Sequence, residues 1–114
     1  MYFVYMVQCT DGTYYTGITP DVCRRMQCHC AGKGAKYTRS HPVASLCALW
    51  RTEEKTAAAR LEYAIKKRLN REQKMMLIAQ PSLLPSLFPH LADVTYTYVP
   101  DVTLKMCLQG EFHG

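Results

Sequence analysis

Two phenols, a guanidinium, an imidazole and a carboxylate recur along the first part of this chain in an order suited to cutting a phosphodiester with one divalent metal. Tyr5 closes the run Phe3-Val4-Tyr5, and Tyr15 opens Tyr15-Thr16-Gly17, with the polar turn Cys9-Thr10-Asp11-Gly12 between them. Arg25 and His29 follow, four residues apart, and Glu62 comes later in an Ala-rich stretch. Taken singly, each has a plainer reading. Tyrosine is a common strand residue, a lone helical histidine is most simply a surface residue, and Glu62 can pair with Lys66 at i+4. The combination is what points to chemistry.

Neighbouring elements must bring these groups together. Tyr2 to Cys9 and Thr13 to Thr19 are rich in β-branched and aromatic residues around Asp11-Gly12, which predicts a hairpin. The first strand is apolar on both faces, Phe3 and Tyr5 on one, Val4 and Met6 on the other, as in a central strand covered on both sides. Thr19-Pro20-Asp21 predicts a helix start with Thr19 as cap and Pro20 at the first helical position. Val22, Met26 and Cys30 form its expected buried stripe, with Arg25 and His29 beside it, overhanging the hairpin. A basic loop from Gly32 to Arg39 leads past Pro42 to a third strand over about 44–51. A helix is expected from about Thr56, its cap, through Leu69, with Ala58, Leu61, Ile65 and Leu69 as apolar face and Glu62 one step around. Asn70 to Gln73 reads as the capping box of a last helix that runs to about Ala79.

Beyond Pro81 the composition changes, which divides the chain into a main domain, 1–80, and an extension, 81–114, of unassigned role. Pro81, Pro85 and Pro89 rule out a continuous helix there. Val94 to Val99 and Val102 to Leu108 alternate as two short strands around Pro100-Asp101. They could pair with each other, with the main sheet, or with a protein partner or second copy of the chain.

The 114 residues, 48% hydrophobic and 20% charged, are ordinary for a globular chain with one modest core. The apolar runs fall short of the about 20 residues needed for a membrane span. No basic segment precedes the N-terminal apolar stretch, so no membrane partner and a cytoplasmic location are expected. The six cysteines contain no C-x-x-C pair, and Cys28 and Cys30 would point about 200° apart on a helix, so they read as small hydrophobes and thiols. Net charge is +5 but uneven: through Gln80, 13 Lys/Arg against 6 Asp/Glu leave +7, and the rest carries 1 against 3, or −2. The basic part suits a polyanion, nucleic acid above all, although a solvated face without a partner would look the same.

Tyr5, Tyr15-Thr16-Gly17, Arg25, His29 and Glu62, in this order and spacing, resemble the GIY-YIG nuclease superfamily, most closely its small stand-alone bacterial endonucleases. Ala31 to Arg39 looks like the loop of that subgroup and Glu62 to Lys67 like its helix signature; the resemblance spans about 2–80. It implies an α/β (α+β) fold, a small three-stranded antiparallel sheet flanked by helices, with an irregular or hairpin extension. It also implies phosphodiester hydrolysis with one Mg²⁺ or Mn²⁺ ion, leaving a 5′-phosphate. Within that pattern Tyr5, Tyr15, Arg25, His29 and Glu62 take the catalytic positions, Glu62 the metal position and Gly17 the structural one. Phe3 stands where the family has glycine, and the family's asparagine about three turns after the glutamate is absent.

Physical reasons run beside these assignments. A hard cation keeps several waters, so one carboxylate can suffice. Arg25 can clamp phosphate oxygens in bidentate fashion. Tyr5 can accept a proton from water if its pKa, ordinarily about 10, is lowered by metal and arginine; Tyr15 or His29 could do this instead. Lys33, Lys36, Arg39 and His41, with Lys66, Lys67, Arg68, Arg71 and Lys74, can grip phosphates without reading bases. Tyr37 could stack on an unpaired base or pack on its own loop. The expected partner is nucleic acid, DNA ahead of RNA, recognised with little sequence specificity. The rival readings are a nucleic-acid-binding module with little or no catalysis, and an interaction protein whose tail strands pair with a partner.

Overall fold

The computed structural model describes residues 1–112, so the last two residues of the expected extension lie outside the described residues. Among the described residues four strands form one antiparallel sheet: β1 (Tyr2–Cys9), β2 (Tyr14–Thr19), β3 (Val43–Thr52) and β4 (Thr97–Tyr98), in the order β2-β1-β3-β4. The apolar first strand is central, as its two-faced pattern requires, and it is buried from Phe3 through Val7.

The register of β1 on β2 pairs Tyr5 with Gly17 and Val7 with Tyr15, which places Tyr5, Tyr15 and Gly17 on one face. Helix α1 (Val22–Cys30) covers that face, packing Val22 and Met26 against Phe3, Tyr5 and Val7. On the opposite face Val4, Met6, Ala48 and Trp50 meet α3 (Lys55–Arg68) through Ala58, Leu61, Ala64 and Ile65. Helix α4 (Arg71–Ala79) adds Leu77 to this layer and starts with the expected capping box: Asn70 Oδ1 accepts from Gln73 N, and Gln73 Oε1 accepts from Asn70 N, each at 2.9 Å.

Several expectations are corrected. The α1 cap is Asp21, whose carboxylate accepts from Arg24 N at 3.1 Å, while Thr19 Oγ1 accepts from Asp21 N. Thr19 therefore braces the cap from the end of β2, and Pro20 lies outside the helix. The third position of the buried stripe is His29, not Cys30, which is exposed. Ala58, Leu61, Ile65 and Leu69 are buried as expected, but α3 begins at Lys55 after Glu54, so Thr56 is not its cap. Part of the basic loop coils into α2 (Lys36–Ser40).

The extension winds through turns at Pro81–Leu83 and Pro89–Leu91 around α5 (Leu84–Leu87), with proline at each start. Leu84, Phe88 and Leu91 join the α3-side core. Of the two expected tail strands, the first contributes β4, which pairs with β3 and makes the sheet four-stranded rather than three-stranded. The second is helical. Asp101, at φ 64, turns the chain away from β4, and Thr103 Oγ1 accepts from Met106 N to cap α6 (Leu104–Leu108). That helix packs on α1, where Gln27 Nε2 donates to the Cys107 carbonyl at 3.3 Å. All six cysteines are free, and no described helix is long and apolar enough to cross a membrane.

Candidate active site

Three of the five expected catalytic groups form one hydrogen-bonded chain. Tyr5 points from the centre of β1 toward α1, where Arg25 and His29 occupy adjacent turns. The Tyr5 hydroxyl lies 2.8 Å from His29 Nε2, and Arg25 Nε donates to the same oxygen at 3.3 Å. Tyr5 is wholly buried and His29 is 2% exposed, so the histidine is part of the core rather than a surface residue. Burial, opposed by the Arg25 hydrogen bond, pushes the Tyr5 phenol up to about 12. Burial, helped by the nearby Arg25 charge, holds the His29 imidazole down to about 4. Near neutral pH the pair is thus phenol and neutral imidazole. Removing one partner would strand a buried polar group, which costs about 1–3 kcal/mol.

Gly17 makes this placement possible. A Cβ there would lie 2.4 Å from Tyr5 Oη, so the phenol occupies the space that a side chain opposite it would fill. Tyr15, two residues earlier on the same face, packs at 6.3 Å from the Tyr5 ring and edge-on to His29 at 5.9 Å. It also lies 5.8 Å from Tyr37, nearly parallel, and Tyr37 stacks on His41 at 4.1 Å. Tyr37 therefore packs between Tyr15 of β2 and His41, and so reaches beyond its own loop. His41 Nδ1 in turn meets Asp11 Oδ2 at 2.7 Å, joining the end of α2 to the hairpin turn. Hydrogen bonds from Thr13, then that from His41, hold the Asp11 carboxyl down to about 2.

Glu62 and Lys66 reach the assembly from α3. Lys66 Nζ lies 3.4 Å from Glu62 Oε2 and 5.0 Å from the centroid of the Tyr15 ring. Among the described residues no group of three His, Cys, Asp or Glu side chains is placed to hold a metal ion, and this assembly offers the one carboxylate of Glu62. A single oxygen donor of that kind fits a hard divalent cation and does not fit a softer metal that needs a nitrogen or sulfur set. Lys33, Lys36, Arg39 and Lys67 are exposed and lie outside the buried chain.

Two contributors were not singled out from sequence. Thr38 is buried and contacts His29, and Gly34 lies so close that a Cβ would meet the imidazole. Both belong to the basic loop, where charge marks the lysines and nothing in a threonine's type marks a buried hydrogen bond. Asp11 read only as a turn residue.

A family model described as the GIY-YIG catalytic domain matches residues 1–76. A UPF0213 protein from Halalkalibacterium halodurans is 45% identical over 78 residues, 68% of this chain and 82% of that protein. One from Halobacterium salinarum is 49% identical over 77 residues, 68% of this chain and 99% of that protein. The solution NMR structure of the UPF0213 protein from Bacillus halodurans is 46% identical, covers 69% of this chain and 84% of its own, and superposes with a TM-score of 0.45.

Proposed function

The chain belongs to the GIY-YIG catalytic domain family, and on that footing we propose that it is an endonuclease hydrolysing phosphodiesters in nucleic acid, DNA ahead of RNA, with low sequence specificity. The observation that carries this reading is the Arg25, Tyr5, His29 hydrogen-bonded chain, with Tyr15 and Glu62 beside it. A single Mg²⁺ or Mn²⁺ ion on Glu62 would supply polarisation of the phosphate and stabilisation of the leaving oxyanion.

The protein's own groups supply the rest. Arg25 spends Nε on Tyr5, which leaves its Nη nitrogens for two non-bridging phosphate oxygens. Tyr5 takes a proton from the attacking water as it passes its own to His29 Nε2, and the nearby guanidinium steadies the negative charge on oxygen. Tyr15, packed against both rings, holds the histidine in place. Exposed Lys33, Lys36, Arg39 and Lys67 grip the backbone without reading bases.

Two observations favour a second reading, a nucleic-acid-binding module that keeps the fold without turnover. Glu62 is already paired with Lys66, and burial sets Tyr5 against ionisation. A labelled panel of single-stranded, duplex, flapped and branched DNA, with RNA, incubated at low salt with Mg²⁺ or Mn²⁺, separates the two. Cleavage of at least one substrate that chelation abolishes is the expected result. Salt-sensitive binding with no product on any substrate would overturn the nuclease reading in favour of the second.

A further inference from the structure

We infer that Thr38 is a positioning residue that holds His29 in the Nδ1–H tautomer, so that its Nε2 lone pair faces Tyr5. Its catalytic consequence rests on the nuclease reading; the tautomer itself does not.

The assignment follows from counting protons along one buried chain. His29 Nδ1 lies 2.7 Å from Thr38 Oγ1, and the Thr38 hydroxyl is 3.0 Å from the Ala35 carbonyl, which can only accept. On the other side, His29 Nε2 lies 2.8 Å from Tyr5 Oη, which also receives Arg25 Nε–H. Arginine can only donate, so among the described residues His29 Nε2 is the one hydrogen-bonded group able to accept the Tyr5 proton. With the imidazole proton on Nδ1, every contact is satisfied in one direction. Arg25 donates to Tyr5, Tyr5 to His29 Nε2, His29 Nδ1 to Thr38, and Thr38 to Ala35. With the proton on Nε2, the Tyr5 hydroxyl has no acceptor, and Thr38 must choose between His29 and Ala35.

The surroundings hold Thr38 to this task. Thr38 is 2% exposed, and its hydroxyl is pinned to the first turn of α2 by the Ala35 carbonyl. Gly34 closes the same space, since a Cβ there would lie 2.2 Å from His29 Nδ1 and 2.9 Å from Thr38 Oγ1. The loop therefore lays its backbone against the ring edge and offers it a single hydroxyl. When Tyr5 loses its proton, that proton bonds to Nε2 and the ring becomes imidazolium. Nδ1–H stays on Thr38, and the phenolate oxygen regains a proton from water.

Two-bond nitrogen–proton NMR of ¹⁵N-histidine-labelled protein reads the tautomer directly, whether or not the protein cleaves anything. The wild type is expected to show His29 as Nδ1–H. Thr38→Val, which keeps the shape and removes the acceptor, is expected to move the proton toward Nε2, and Thr38→Ser to restore it. In parallel, Thr38→Val should lower kcat by at least about tenfold with KM little changed, and Thr38→Ser should recover it. A wild type carrying Nε2–H overturns the inference even if Thr38→Val fails to fold. So does a folded Thr38→Val that retains Nδ1–H. Expected tautomers in a protein that cleaves no substrate would leave the inference standing and remove the nuclease reading alone.

Discussion

A phenol shut between a strand and a helix can release its proton only to a neighbour, and for Tyr5 that neighbour is His29 at 2.8 Å. Tyr5→Phe removes the hydroxyl and leaves two donors or acceptors without it. The fold should lose about 1–3 kcal/mol in denaturant unfolding, and cleavage should fall about 10²- to 10⁴-fold. A stability loss with unchanged cleavage would make Tyr5 a core residue only. His29 also ties stability to pH. Its folded value of about 4 lies below its ordinary 6.5, so the unfolded chain binds the extra proton between those values. Stability due to the buried neutral ring is complete above pH 6.5 and is lost as pH falls toward 4. The melting temperature of the wild type should drop across that window more steeply than that of His29→Gln. Asp11, held down to about 2, loses its contribution mostly below pH 4 and does not mask the effect.

Which of these residues meet is decided by elements, and the elements differ in how plainly the sequence announces them. β1 and β2 are legible because two runs of β-branched and aromatic residues flank Asp11-Gly12, and the register they adopt puts both tyrosines and Gly17 on one face. α4 is legible because Asn70 and Gln73 form a local, self-contained cap. The start of α1 is less so: Thr19, Pro20 and Asp21 each suit a helix start, and only the backbone at the end of β2 decides that Asp21 caps. His29 displaces Cys30 from the buried stripe because its two ring nitrogens find partners on β1 and α2, which periodicity cannot reveal. The pairing of Tyr5 with Gly17 yields a sharp expectation. Gly17→Ala would place a methyl 2.4 Å from Tyr5 Oη, so the phenol must shift off His29. Overpacking of this kind costs about 1–3 kcal/mol, and urea unfolding should show it. An alanine variant of wild-type stability would mean that the ring is not fixed over Gly17.

At the scale of the whole molecule, the division at Pro81 is one of composition more than of packing. Leu84, Phe88 and Leu91 share a core with Val4, Met6 and Trp50, Arg60 pairs bidentately with Asp93, and the Tyr96 hydroxyl donates to the Ala57 carbonyl at 2.7 Å. Ending the chain at Gln80 uncovers this layer, so the truncated protein should melt well below the full chain or fail to fold cooperatively in calorimetry. Equal melting temperatures would show the extension to be dispensable. Its helix α6 and edge strand β4 were hard to read because the Val94 to Leu108 alternation does not reveal that Asp101 turns the chain with positive φ. At the front of the molecule, the proposed nuclease reading makes Glu62 the carboxylate that would hold a divalent ion. The most direct test is the initial rate of cleavage on the best substrate as a function of Mg²⁺, for wild type and Glu62→Gln prepared identically. Saturable, metal-dependent cleavage is expected in the wild type, with a loss of about a thousandfold or more in the variant. Equal rates in the two proteins would contradict that reading.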